Sequence, residues 1–316
     1  MALRTVFFGN SRNVFSAKFY AALQETDCEI VGAIDIPTAV GASTNPHADS
    51  TRVNFMTDAL QRGVAALAPE RPNRPEVVQT IGALQPDLFL AVGYTKLLKA
   101  DMLAVPRIVS ANVHASLLPA YRGKHPVFWA LRHGEKFSGL TIHAMDASLD
   151  TGDILYQKEV RTRSNDSVAT LYERIIDKGL PLVDQLIRDA GLGALPRKPQ
   201  STDKGSYFSG TTEKDFHIQW SRPAEEIRRW IATTPGQCFA QIAGKRIFFL
   251  DALAVPCPPH ATSGTLLAMG PSNCTIATGN GALEIGKFRD SKNRQTTAAD
   301  FFREEGLLIG EVLTPQ

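Results

Sequence analysis

The stretch SANVHASLLPAYRGKHPVFW, residues 110–129, changes from an apolar strand pattern to a turn within a few positions. Asn112 and His114 are two residues apart, so in a strand their side chains lie on the same face. Pro119 prevents the strand from continuing, and Gly123 permits a tight backbone beyond it. The pattern predicts a strand that delivers an amide and an imidazole to its carboxyl end, followed by a rigid turn.

On both sides of this stretch, short apolar runs alternate with segments whose apolar residues recur at helical spacing. This alternation predicts an α/β fold with a Rossmann-like, mostly parallel sheet covered by helices on both faces. The predicted strands are 4–9, 29–35, 87–94, 107–114, 138–146 and 153–161. The predicted helices are 16–25, 52–62, 75–84, 99–105, 126–133 and a long one at 166–190.

The alternation of predicted strands and helices ends after residue 190. The segment GLGALPRKPQSTDKGS, 191–206, is rich in Gly, Pro and polar residues and predicts a linker. Beyond it, one amphipathic helix precedes short apolar runs separated by turn signals, which predicts a small OB-like β-barrel. We therefore expect a catalytic domain at 1–190 and a C-terminal barrel domain at 207–316.

Composition limits the classes of partner. The 316 residues carry 34 Lys and Arg against 32 Asp and Glu, a net charge of +2, so no sequence-wide basic field attracts nucleic acid or membranes. The four cysteines lack the spacing of a zinc site or a disulfide framework. No apolar run approaches the roughly 18 residues that span a bilayer, and the N-terminus lacks a signal-peptide pattern. We expect a reduced, cytoplasmic protein without a membrane partner.

The strand end carries groups suited to acyl chemistry. The amide of Asn112 and the imidazole of His114 can both donate hydrogen bonds to a developing oxyanion. The following loop, HAMDASLDTGDILY at 143–156, supplies Asp146, Asp150 and Asp153. A carboxylate there can orient the imidazole and raise its pKa, which would keep it protonated. The structural alternative is that Asn closes the loop, His bonds to backbone and Asp150 forms an Asx turn.

Two linked motifs favour the catalytic interpretation. NVHASLLPAYRG followed by LDTGD resembles the formyltransferases that use N10-formyltetrahydrofolate, a family with methionyl-tRNA, glycinamide-ribotide, amino-sugar and amino-acid acceptors. The C-terminal part, from HIQWSRPAEEIRRW to GNGALEI, resembles the barrel domain of methionyl-tRNA formyltransferase and some sugar-nucleotide formyltransferases. The resemblance covers nearly the whole chain.

The resemblance implies a catalytic triad of Asn112, His114 and Asp150. The first two would stabilise the oxyanion that forms when an amine attacks the formyl carbon, while Asp150 would keep His114 charged and move protons. The resemblance also implies N10-formyltetrahydrofolate as cosubstrate and no metal. The folate would contact Lys96, Leu98, Ser116, Leu117, Leu118, Pro119, Asp146 and Leu149.

Four other functions fit the residues less well. A metal hydrolase is the first: four histidines fall within positions 114–143, but their spacing matches no common metal motif. A nicotinamide-dependent oxidoreductase is the second: FFGNSRNVF, at 7–15, has one glycine where a dinucleotide-binding turn needs three. Residues 206–316 hold 11 basic and 11 acidic residues, which argues against a nucleic-acid-binding barrel. A formyltetrahydrofolate hydrolase is chemically close, but the family's hydrolases carry an additional N-terminal domain.

The acceptor is the least determined part of the reaction. The loop at 36–51 and the adjoining Arg52 offer one cation for a tRNA, whereas phosphate binding gains from several. Lys124 and His125, just beyond the turn, could instead meet a phosphate or carboxylate on a small molecule. We therefore expect a small amine, either an amino-sugar nucleotide or an amino acid, with methionyl-tRNA as the alternative. The sequence does not determine the oligomeric state.

Overall fold

The computed structural model describes residues 2–37, 54–201, 205–258 and 260–313. Most of the predicted loop at 36–51, together with Arg52, lies outside these residues. Contacts divide the chain into two compact units. The first comprises residues 1–127, 137–161 and 172–209, and the second comprises 128–136, 162–171 and 210–316.

The first part of the chain alternates strands and helices as predicted. The strands are β1 (Leu3–Gly9), β2 (Cys28–Asp35), β3 (Ala65–Leu67), β4 (Leu88–Val92), β5 (Val109–His114), β6 (Arg122–Gly123), β7 (Phe137–Ala144), β8 (Ile154–Arg161) and β9 (Tyr207–Phe208). The helices are α1 (Val14–Gln24), α2 (Phe55–Gln61), α3 (Pro75–Gly82), α4 (Ala100–Leu103), α5 (Pro126–His133), α6 (Val168–Gly179) and α7 (Pro181–Gly191).

Seven of these strands form one sheet in the order β3-β2-β1-β4-β5-β7-β8. The first five are parallel, while β7 and β8 add antiparallel pairs at one side. Because helices cover both faces of such a sheet, its central strands are apolar throughout rather than alternating. Phe7 and Phe8 of β1 and Phe89 of β4 are fully buried, as this requires. The predicted mostly parallel α/β fold is confirmed.

The prediction of one long helix at 166–190 is wrong. The segment forms α6 and α7, which are separated at Leu180. The amide of Leu180 still donates to the carbonyl of Ile176, at 2.9 Å. Pro181 has no N–H with which to continue this ladder, and it takes the first position of the next helix instead. The periodic apolar pattern continues through the break, which is why periodicity alone did not reveal it.

The C-terminal part contains α8 (Ala224–Thr233), α9 (Ala298–Glu304) and short strands that form two antiparallel sheets. One sheet has the order β10 (Phe239–Ile242), β11 (Lys245–Phe249), β16 (Lys287–Asp290) and β17 (Gln295–Thr297). The other has β12 (Leu253–Val255), β15 (Ala282–Ile285), β14 (Cys274–Ala277) and β13 (Leu266–Met269). Their inward-facing residues share one buried core with Trp220, Trp230 and Phe302. The predicted smaller C-terminal domain of antiparallel β-strands is confirmed.

Residues 191–201 and 205–209 belong to the first compact unit, although the sequence predicted a linker over 191–206. Backbone hydrogen bonds explain the difference. Lys198 and Ile154 exchange two of them, at 2.9 and 3.0 Å, which attaches the segment beside β8. In the described parts of the chain, no helix has the length and apolar character needed to cross a membrane.

Candidate active site

The end of β5 carries the two polar side chains that the sequence singled out. Asn112 is half-buried and His114 is buried, while the intervening Val113 packs into the core. Strand β7 runs antiparallel to β5 and places His143 directly opposite Asn112. The site therefore begins with two histidines and one amide on adjacent strands.

Asp150 reaches this group from the loop between β7 and β8. One carboxylate oxygen, Oδ2, lies 3.6 Å from Nδ1 of His114. The other, Oδ1, lies 3.3 Å from Nε2 of His143 and 3.4 Å from the amide nitrogen of Asn112. The backbone of Asp150 is left-handed, with φ of +56°, so the residue also forms a turn. The structure thus combines the turn position with a side chain that contacts all three neighbours.

The ionisation of Asp150 follows from these contacts. Burial raises the pKa of its carboxyl, but this is outweighed by the neighbouring His143 and His114 side chains and by the backbone N–H of Gly123. The pKa falls to about 2. Asp150 is therefore an anion throughout the physiological pH range.

The pKa of His114 differs from the expectation that Asp150 keeps this residue protonated. Burial lowers its pKa below the ordinary value of 6.5, and the opposing effect of Asp150 is smaller. The residue is therefore neutral at pH 7 in the absence of substrates, not permanently charged. Its Nε2 lies 2.8 Å from the carbonyl of Tyr121, which can only accept a hydrogen bond. The neutral ring thus carries its proton on Nε2, and Nδ1 faces Asp150 with a lone pair.

His143 was missed as a site residue by sequence reasoning, which considered it only as a metal ligand. Its Nδ1 lies 2.8 Å from the carbonyl of Ala144, so Nδ1 carries a proton. Nε2 lies 3.1 Å from the amide nitrogen of Asn112 and can accept a hydrogen bond from it. Period-two alternation in LTIHA could have placed His143 on a strand face, but only the β5–β7 register shows which residue it opposes.

The turn after β5 completes the surroundings of the triad. Gly123 donates its backbone N–H to Oδ2 of Asp150, at 2.8 Å. Its φ is +92°, and a Cβ atom there would lie 2.3 Å from the carbonyl oxygen of Phe208. Tyr121 also has a positive φ, +60°, which aims its carbonyl at His114. Backbone in such sparsely populated conformations is concentrated at functional sites.

The SLLP segment is held by its own polar groups. The hydroxyl of Ser116 donates to the carbonyl of Ala120 at 2.7 Å, and the N–H of Leu118 donates to the hydroxyl of Thr141 at 3.2 Å. The peptide bond between Leu118 and Pro119 is cis. Leu117 packs against the backbone at Gly139, where a Cβ would lie 2.6 Å from its Cδ2. The segment is a fixed wall beside β5, as the sequence predicted.

The other predicted cofactor residues lie on two loops. Lys96 is exposed and Leu98 is buried in the loop after β4. Asp146 is exposed and accepts hydrogen bonds from the N–H of Ser148 and the hydroxyl of Thr151. Leu149 is 51% exposed. Asp146 therefore shapes the loop that carries Asp150, and its contact with a folate stays a prediction.

The predicted acceptor residues Lys124 and His125 are both exposed at the start of α5. Neither belongs to the hydrogen-bonded group around Asp150. Asp153 is also separate from that group, since its carboxylate pairs with Arg197 at 3.8 Å. In the described ranges, no cluster of His, Cys, Asp and Glu side chains could hold a metal ion.

Comparison with known proteins identifies relatives of both halves. The sequence matches the formyl transferase family over residues 3–185 and the formyl transferase C-terminal domain over residues 211–306. A methionyl-tRNA formyltransferase of Halorhodospira halophila is 34% identical over 256 residues, covering 80% of this chain and 82% of that protein. The methionyl-tRNA formyltransferase of Bacillus subtilis is 28% identical over 319 residues, covering 98% and 97%.

Solved structures show the same fold. An N-formyltransferase from Helicobacter canadensis, crystallised with folinic acid and dTDP-3-aminofucose, superposes with a TM-score of 0.65 at 17% identity. The match covers 91% of this chain and all of that one. HypX from Aquifex aeolicus with tetrahydrofolic acid gives a TM-score of 0.60 at 16% identity, and this chain spans about half of HypX.

Proposed function

Because the chain belongs to the formyl transferase family, we propose that it transfers a formyl group from N10-formyltetrahydrofolate to a primary amine. The observation that carries this proposal is the position of Asp150, whose carboxylate lies between His114 and Asn112 at the end of β5. By the family resemblance, Asn112, His114 and Asp150 would form the catalytic triad. The folate supplies the activated formyl group when it is bound.

The residues present fit a reduced folate. The loops expected to hold its flat ring each expose a large apolar side chain, with Leu97 50% and Leu149 51% accessible. Apolar lining with a few polar groups is typical of small-molecule sites. The donors at the end of β5 would then face the formyl group. Two further polar groups nearby, the hydroxyls of Ser116 and Thr141, are already bonded within the wall.

In the proposed reaction, Asn112 and His114 would have different tasks. The contact of Asn112 with His143, at 3.1 Å, orients its amide. Its contact with Asp150, at 3.4 Å, is longer than a strong N–H···O bond, so this N–H can turn towards a closer oxyanion. Asn112 would thus be the principal oxyanion donor.

His114 would act as the proton acceptor. Its Nδ1 lone pair can take a proton from the attacking amine, because neutral imidazole is a base near pH 7. The resulting imidazolium would be held between the carbonyl of Tyr121 and the carboxylate of Asp150. Asp150 therefore stabilises a charge that appears during the reaction.

We infer that the acceptor amine is that of methionyl-tRNA. Two observations support this inference: relatives with that name at 28–34% identity, which match 80–98% of this chain, and a matching C-terminal domain. The sugar formyltransferases that resemble this chain do so at 17% identity, which concerns the fold alone. The relatives thus favour the alternative that the sequence analysis ranked second.

A small amine is the second candidate, and the charges of the C-terminal unit favour it. Of the 11 basic residues in 206–316, six form ion pairs with acidic side chains of the same unit. A cation that already has a carboxylate partner gains less from replacing counterions around a phosphate backbone. The exposed pair Lys124 and His125 would then contact a small anionic acceptor.

An acceptor comparison at several salt concentrations tests both candidates. Formation of tetrahydrofolate would be followed with methionyl initiator tRNA, dTDP-amino sugars and amino acids. If tRNA is the acceptor, kcat/KM falls steeply between 50 and 200 mM salt, by about 10³-fold for six phosphate contacts. Turnover with an amino sugar that is insensitive to salt, with none on tRNA, would replace the proposal by the second candidate. Turnover with no acceptor would identify a hydrolase.

A further inference from the structure

Residues 198–201 and 205–208, which follow α7, contact the active site from outside the triad. We call this segment the strap. Its first attachment is the pair of backbone hydrogen bonds between Lys198 and Ile154. Its last is β9, which pairs in parallel with β6. Between these attachments, the side chain of Gln200 bonds to partners that belong to the active-site loops.

Gln200 uses its whole hydrogen-bonding capacity. Its two N–H groups donate to the backbone carbonyls of Asp150, at 3.0 Å, and Gly152, at 2.7 Å. Its carbonyl oxygen accepts from Nε and Nη2 of Arg122, at 3.3 and 2.9 Å. The N–H groups of Gln200 face two carbonyls, and its oxygen faces the guanidinium of Arg122. These partners fix the orientation of the amide.

These contacts join the two backbone segments that hold the triad. Asp150 is in the left-handed conformation, which costs a non-glycine residue about 1 kcal/mol or more unless its surroundings enforce it. The side chain of Gln200 donates to the backbone carbonyl of Asp150 and so stabilises this turn directly. On the other side, Arg122 lies between Tyr121, which accepts from His114, and Gly123, which donates to Asp150.

The strap also fixes the backbone of that second segment. Ser206 accepts the N–H of Tyr121 on its hydroxyl, at 2.8 Å, and the N–H of Arg122 on its carbonyl, at 2.8 Å. The ring of Phe208 stacks on Tyr121 with centroids 5.6 Å apart. The position of the Gly123 N–H relative to Asp150 therefore depends on the strap.

We propose that Gln200 is a positioning residue that holds the Asp150 carboxylate in register with His114 by joining the turn at Asp150 to the turn at Arg122. The proposal rests on the proposed role of the triad. It does not depend on which amine is the acceptor. A displacement of about 1 Å at a reacting group can lower turnover about 100-fold.

The kinetic test compares Gln200→Ala and Gln200→Glu with Lys198→Ala. Lys198 attaches the strap through its backbone alone, and its side chain is exposed, so its variant is the matched control. We expect both Gln200 variants to lose about 10- to 100-fold in kcat with folate affinity changed less than about threefold. Gln200→Glu still pairs with Arg122 but offers no N–H to the two carbonyls, so it should not rescue turnover.

A double substitution separates positioning from a general effect on the fold. In an Asp150→Asn background, Gln200→Ala should lower kcat by no more than about twofold further, because residues that act as a unit are not additive. Losses that multiply, or a Gln200→Ala enzyme with normal kcat, would overturn the proposal. A wild type without transfer to any amine would instead contradict the proposed function.

A second measurement needs no substrate. Hydrogen exchange of the peptide that contains Gly123 reports the bond between its amide and Asp150. We expect exchange there to accelerate about tenfold or more in Gln200→Ala and to stay unchanged in Lys198→Ala, while peptides of β4 keep their protection in both. Unchanged exchange at Gly123 in Gln200→Ala would overturn the proposal even if the acceptor remained unidentified.

Discussion

Around β5, polar side chains are half-buried or buried and bonded to residues far along the chain, whereas in the C-terminal unit charged side chains pair at the surface. Asp150 bonds to partners 27 and 38 residues away, and Gln200 reaches it from 50 residues beyond. In the C-terminal unit, four of the ion pairs join residues three or four positions apart. Local exposed pairs of that kind contribute at most about 1 kcal/mol each.

This difference separates the residues that stabilise the C-terminal unit from the residues of the candidate active site. The C-terminal unit is stabilised by its apolar core, in which Phe249, Phe288 and Phe302 are fully buried. The group around Asp150 buries polar atoms. Buried polar atoms stabilise a fold only when each of them has a hydrogen-bond partner. Under the proposed function, the benefit of this arrangement is preorganised charge at the reacting centre. Substitutions in the two regions should therefore affect different measurements.

Phe288→Ala should give the largest effect, on stability alone. The ring meets Phe249 and Phe301 edge to face, with centroids 5.2 and 5.5 Å apart. Its removal should lower the free energy of unfolding by about 3–5 kcal/mol, as measured by urea titration. Phe248→Ala is the control, since Phe248 is only half-buried in the same unit and should cost less. A loss of kcat in the molecules that remain folded would show that the two regions do not separate.

Asp150→Asn should give the largest effect on catalysis. The amide keeps the size of the side chain but cannot stabilise the imidazolium that forms on His114. Turnover should fall about 10²- to 10³-fold, the usual cost of losing preorganised electrostatic stabilisation, while folate binding measured by calorimetry is retained. His114→Ala should be similarly impaired, and the double variant should be little worse than the poorer single one. Near-normal turnover in Asp150→Asn would make Asp150 a turn residue only.

The smallest expected effect is the pH dependence of the His114 ring, which is measured on the unsubstituted protein. Burial lowers the pKa of His114, so its ring should stay neutral, with the proton on Nε2, as the pH falls below 6.5. Nitrogen-15 chemical shifts of the imidazole would report this directly. The unfolded chain binds this proton more readily, so the contribution of His114 makes stability decrease as pH falls below 6.5. Asp150 acts in the same direction at lower pH: its stabilisation is complete above its unfolded pKa of about 3.9 and is lost as pH falls through the folded pKa of about 2. An imidazolium at pH 7 in the substrate-free protein would restore the charged-donor mechanism.

Apart from β3 and the break between α6 and α7, the sequence by itself determined the alternation of helices with the strands of the main sheet, because apolar periodicity and turn residues are local properties of the chain. It also brought Asn112 and His114 onto one strand face, since alternation along a strand needs no tertiary information. Through family resemblance it added Asp150, whose role no spacing could have established.

Only the tertiary structure decided the rest. Which strand lies beside β5, and hence that His143 opposes Asn112, depends on long-range pairing. Burial of His114 made its ring neutral, and burial is a property of the packed molecule, not of neighbouring residues. Part of the polar, Gly- and Pro-rich segment that predicted a linker belongs to the strap, because the backbone of Lys198 and Ser206 bonds to Ile154 and Arg122, many residues away.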